Sequence, residues 1–247
     1  MLDWFLSPID AARAHDIGFA LSWHARLMVL SWGVITPLAI LIARFYKITP
    51  KQDWPRELDN RIWWDVHFWG QISSFGIACI ALVLILISAQ NTGAAMRHHV
   101  LGYTVMGLGA MQLLSGALRG TKGGPTAPHA DGSLRGDHFD MTPRRLAFEF
   151  IHKLVGYTAL GLIMIAITTG LWAANAPIWM WVVIGGWWAL LALVAVVLQW
   201  RGRAFDTYQA IWGPDASLPG NQRPKQGVCI TRPSESPDYK NDYKDKV

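Results

Sequence analysis

The chain has 247 residues, 52% of them hydrophobic and only 16% charged, with a formal net charge of +5. That length holds one membrane domain with little left for a soluble one, and the bunching of charge between long uncharged stretches makes lipid the solvent for most of it. The positive balance does not imply a nucleic-acid partner, because the basic residues flank apolar runs, where they act as topology signals.

Residues 1–16 carry Asp3, Asp10 and Asp16 and lack a basic stretch followed by an apolar one. No cleavable signal peptide is therefore expected, and this part reads as an outward-facing N-terminal segment. Five apolar segments follow within 17–200, each able to supply the roughly 20 residues that a membrane-crossing helix needs. They run Ile17–Ala43, Ile62–Ser88, His98–Leu118, Leu146–Ala174 and Ile178–Trp200. The fold class expected is all-α integral membrane, with five transmembrane helices. Trp23, Trp54, Trp63, Trp64, Trp172, Trp179 and Trp200 sit at the ends of these runs, as in an interfacial aromatic belt. Cys79 lies in an apolar run and Cys229 in a polar one, and nothing suggests a disulfide framework.

The connections alternate in charge. Arg44, Lys47, Lys51, Arg56 and Arg61 surround the first, and Arg119, Lys122, Arg135, Arg144 and Arg145 the third. The second has only Arg97, and the fourth has no Lys or Arg. Positive loops stay inside, so the N-terminus is expected outside and the C-terminus in the cytoplasm, in a bacterial inner membrane. Thr142 and Pro143 mark the start of the fourth helix as cap and first helical residue. The third loop also holds Gly123-Gly124-Pro125, His129 and His138, read as a solvated or partner-binding loop. Residues 201–247 are polar and rich in Pro, Asp and Lys, ending in Asp238-Tyr239-Lys240 and Asp242-Tyr243-Lys244. They read as a cytoplasmic tail, disordered or docked on a partner.

The histidines carry the chemistry. His24, His67, His98 (or His99) and His152 lie on four consecutive apolar helices. An ionisable side chain at membrane depth is costly, so it marks function by default. Each lies near the N-terminal end of its helix, and consecutive helices run in opposite directions. His24 and His98 therefore share the outer level, and His67 and His152 the cytoplasmic one. In a four-helix bundle, alternate helices face each other diagonally, which gives two bis-imidazole sites at two depths. Two six-coordinate haems would fit, each iron held by one pair. A proton relay or transporter site is the competing reading. Zinc would draw all four to one depth, which alternating topology forbids. A local repeat, His98-His99-Val100-Leu101-Gly102-Tyr103 against His152-Lys153-Leu154-Val155-Gly156-Tyr157, favours His98 over His99. It also places Gly102 and Gly156 one turn after each histidine, where a missing side chain lets a porphyrin approach.

These residues together resemble the cytochrome b561 superfamily, in the form of the membrane half of DOMON-linked proteins without the DOMON domain. The first helix reads His24-Ala25-Arg26-Leu27-Met28, then Trp32, Pro37 and Arg44. It is similar to the family's His-x-x-x-Met, Trp, Pro, Arg series. His67, His98 with Gly102 and Gln112, and His152 with Gly156 match the next three helices. The resemblance covers about residues 20 to 200. It implies two haems b within the first four helices, a fifth helix outside that core, and electron transfer across the membrane.

Three functions stand open on sequence. The chain is an electron-transferring cytochrome b subunit of a membrane redox complex, with a protein redox partner. Or it is a stand-alone transmembrane reductase with a small-molecule or metal substrate; a quinone or small molecule is weighed as electron donor. Or it is a non-redox transporter or scaffold. Lys51, Arg56 and Arg61 are read either as holding an anionic donor or haem propionates, or as topology charges near anionic lipid. Arg26 either pairs with a propionate or snorkels. Glu149 is placed to pair with Lys153 or Arg145 at helical spacing.

Overall fold

The computed structural model describes residues 2–88, 96–119, 143–225 and 227–233. Among these, five helices are long and apolar enough to cross a membrane: Phe19–Phe45, Ile62–Ile87, Met96–Ala117, Pro143–Ala173 and Ile178–Trp200. They match the expected spans to within a few residues, and the fourth starts on Pro143. Thr142, the third-loop Lys122, Gly123-Gly124-Pro125, His129, Arg135 and His138, and the repeat over 238–244 lie outside the described residues.

The first and second spans pack as one hairpin and the third and fourth as another, and the two hairpins meet along the first and fourth and the second and third spans. Trp32, Ala78, Val105, Ile163, Ala166, Ile167 and Leu171 form the shared core. The fifth span has no buried residue and lies outside this bundle. Outward-facing Leu, Ile and Val are what lipid requires of such a helix.

The first span is not uniform. It widens into a π-helical segment over Val29–Ile35, within which Ser31, Trp32 and Gly33 are buried. The indole of Trp187 on the fifth span donates to the Gly33 carbonyl at 2.9 Å. Ser74 Oγ donates to the Ser31 carbonyl at 2.8 Å and shares a hydrogen bond with Thr36 Oγ1 at 2.8 Å. This polar seam joins the first two spans where no water is at hand to satisfy such groups.

Both flanking segments fold back on the bundle. Asn175, buried in the turn between the fourth and fifth spans with φ 48°, donates to the Asp10 and Arg13 carbonyls. The N-terminal segment thus lies against that turn.

Residues 201–225 and 227–233, expected as part of a disordered or partner-docking tail, form a strap that packs on the chain itself. This strap forms a short helix, Thr207–Trp212, whose first amides are capped by Asp206. Tyr208 and Ile211 pack on Trp63, and Phe205 lies beside Trp54. Asp206 also pairs with Arg232 at 2.7 Å. Lys47 donates to the Phe205 carbonyl and Arg203 to that of Ile48, so the strap closes over the connection between the first two spans. Polar composition hides such a segment, because it borrows apolar partners from elsewhere in the chain.

Candidate functional site

Histidine at membrane depth needs a partner for each ring nitrogen. The four span histidines find partners in pairs. The ring centroids of His24 and His98 are 6.1 Å apart with planes at 88°. Those of His67 and His152 are 6.3 Å apart with planes at 76°. The first span thus meets the third, and the second the fourth. Of the adjacent histidines, His98 faces His24, while His99 is exposed.

The neighbouring helix of each hairpin steadies each ring. His24 Nδ1 is 2.9 Å from the Ala81 carbonyl, and His98 Nδ1 is 3.0 Å from that of Ala166. His152 Nδ1 lies 3.1 Å from Ser115 Oγ. His67 Nδ1 looks toward the Ala39 carbonyl and is buried without a full hydrogen bond among the described residues. A carbonyl only accepts, so Nδ1 of His24 and His98 carries the proton and the Nε2 lone pair is left for a ligand. The buried alanines leave room for a ring to reach the backbone. Ala81 lies fourteen residues after His67, and Ala166 fourteen after His152. Four helical turns therefore separate the two histidine levels, about 21 Å at 1.5 Å per residue.

Glycines shape the surroundings. A Cβ on Gly170 would sit 2.9 Å from His98 Cε1, so that glycine makes the seat for the imidazole. Gly102 has open space where its side chain would be. At Gly156 the space is filled by the Gln112 amide, which donates to the His152 carbonyl at 2.7 Å. Gly170, eighteen residues from His152, was not singled out from sequence because it belongs to the opposite histidine level.

The residues present fit a porphyrin iron. Two metal–imidazole bonds of about 2 Å each, with the ring half-widths added, span about the separation seen in both pairs. Among the described residues no three His, Cys, Asp or Glu converge as a bare metal ion would require. A twofold set suits a group that brings its other four donors with it.

The His67–His152 end is strongly basic. Arg119 lies 3.6 Å over the Trp64 ring, and Arg145, almost wholly buried, donates to the Arg119 carbonyl. Burial and the neighbouring Arg145 pull the Arg119 guanidinium down to about 10, which still leaves it charged near neutrality. Glu149 takes Lys153 at 2.8 Å and Arg145 at 3.8 Å, as its helical spacing suggests. Arg44 donates to Tyr157 and Gln199. Burial, with Lys153 nearby, lowers Lys47 to about 8. The cations weighed from sequence for an anionic donor or propionates are the more exposed ones at this end. Arg56 pairs with Asp53 and Arg61 with Asp65, all exposed or nearly so, and Lys51 is exposed. Arg26 is exposed too, its guanidinium 5.5 Å from the Trp23 ring.

The sequence is similar to cytochrome b561-type proteins. It is 26% identical over 162 residues to a cytochrome b561, DM13 and DOMON domain-containing protein of Arabidopsis thaliana, covering 66% of this chain and 16% of that one. It is 29% identical over 162 residues to ferric-chelate reductase 1 of Bos taurus, covering 64% and 23%, and 27% identical over 163 residues to its Homo sapiens counterpart, covering 65% and 24%. The chain thus spans less than a quarter of the length of these relatives. No family model and no solved structure matches it.

Proposed function

We propose that the chain carries electrons across a membrane through two bis-histidine b-type haems, as the cytochrome b subunit of a membrane redox complex. The observation that carries this reading is the meeting of four histidines as two facing pairs, one at each end of a four-helix bundle. Two irons exchanging one electron at a time are the chemistry that the bound groups supply. The protein's part is to hold and tune them. His24 and His98 ligate one iron, and His67 and His152 the other. The Ala81 and Ala166 carbonyls and Ser115 fix ring orientation and make the ligating nitrogens more basic. Gly102 leaves an open surface beside one site for the porphyrin, and Gly156 seats the Gln112 amide that braces the other. Arg119, Arg145 and Lys153 supply positive charge for the propionates at the His67–His152 end, or for an anionic donor.

The charge of the connections supports an N-terminus outside and a cytoplasmic C-terminus, with the basic end inside. A second reading, a stand-alone transmembrane reductase with a metal or small-molecule substrate, is favoured by the two relatives named as ferric-chelate reductases.

The test is a haem assay with a reduced-minus-oxidised spectrum on protein extracted in mild detergent. Two haems per chain and a b-type band are expected, and a colourless preparation excludes every redox reading. Co-purification of a second redox protein selects the subunit. Rapid turnover of a ferric chelate by the isolated chain selects the reductase.

A further inference from the structure

Between the two histidine levels the bundle is closed by aromatic rings. Trp32 lies eight residues after His24 and Phe75 eight after His67. Their helices are antiparallel, so both rings fall about midway between the levels. The centroids are 6.3 Å apart, with planes at 75°. Trp32 is buried, packed among Val105, Ile163 and Ala78. Both rings rest on the third span at Gly109, where a Cβ would lie 2.8 Å from Trp32 Cη2 and 3.1 Å from Phe75 Cδ2. The other groups at this depth are smaller: Ser31 and Ser74 are fully buried, and Ala159 nearly so. The two rings thus pack as one aromatic pair between the histidine levels, with the third span pressed against it at Gly109.

We infer that Trp32 and Phe75, seated on Gly109, form the relay that couples the two sites. This rests on the two-haem reading above. Tunnelling decays less steeply through packed atoms than across gaps. With both sites loaded, passage of one electron from level to level would oxidise one centre and reduce the other, with no bond or proton changed. The rings carry no charge of their own during the step; they position and connect.

Two measurements test this. The first needs no electron transfer. In a double-mutant cycle of thermal unfolding, Gly109→Ala should lower the midpoint clearly in the natural background and much less with Trp32→Leu, because the indole it strikes is gone. Equal losses in both backgrounds would show that Gly109 does not seat the ring. The second uses a photosensitiser on the exposed Cys229, with Cys79→Ala, to inject an electron at the His67–His152 end. The far site should then be reduced in a second phase. Replacing both rings by leucine should slow that phase several-fold with both haem spectra unchanged, and Trp32→Phe should restore most of the rate. If Trp32→Leu does not fold, Phe75→Leu alone serves. An unchanged rate in a leucine variant holding both haems overturns the relay and leaves the two-haem reading standing. A natural protein without two spectral components overturns both.

Discussion

Each span histidine is ordered by one or two small neighbours, and those neighbours are where single substitutions act most sharply. Gly170→Ala drives a methyl into the His98 ring, an overpacking of about 1–3 kcal/mol. We expect it to deplete pigment at the His24–His98 site while the other site stays filled; equal depletion at both would mean that Gly170 supports the bundle and not one ring. Lys47 gives a pH dependence whose sign is fixed by its burial. Its folded value, about 8, lies below the ordinary 10.5. Between these values the unfolded chain binds a proton that the fold does not, so stability rises with pH across that window and is lowest below it. The thermal midpoint of the strap, followed by tryptophan fluorescence, should climb from about pH 8 to about 10.5. In Lys47→Met this climb should vanish, and an identical slope there would assign it to another group. The histidines were legible from sequence, because charge-capable residues stand out against apolar helices. Gly170, Ser115 and the three alanines were not: nothing in a lone small residue announces which ring it faces across a helix boundary.

At the scale of elements, the spans were readable to within a few residues because lipid imposes length and apolarity together. The π-helical turn in the first span was not, since it depends on donors from the second and fifth spans. In sequence the strap reads as disordered or partner-docking because its apolar residues, Tyr208, Ile211 and Trp212, are few and their partner, Trp63, is remote in sequence. Its packing is nonetheless tight. A Cβ on Gly220 would lie 2.2 Å from the Tyr208 ring. Gly220→Ala should therefore undock the strap, seen as faster tryptic cleavage at Arg201 and Arg203 with the membrane helices still protected. Asp206→Ala removes both a helix cap, worth about 1 kcal/mol, and the partner of Arg232, and should act in the same direction. Cleavage at the natural rate in both variants would contradict the docking.

For the whole molecule, two hairpins face each other so that each level takes one histidine from each. The ends differ. One is wrapped by the N-terminal segment and the turn at Asn175, the other by the strap and a concentration of buried arginine and lysine. The basic end was only half legible: charge counts along the connections gave the excess, but not that Arg145 is buried against Arg119 while Lys51, Arg56 and Arg61 stay exposed. Packing, which spacing does not encode, brings Arg145 to the Arg119 carbonyl, whereas Glu149 joins Arg145 and Lys153 by helical spacing.

The most direct test is to remove the histidines one at a time and record which part of the haem spectrum goes. His67→Ala and His152→Ala should each abolish the same component, and His24→Ala and His98→Ala the other, with His99→Ala leaving both. Loss of one shared component from His24→Ala and His67→Ala would contradict the diagonal pairing and the electron path built on it.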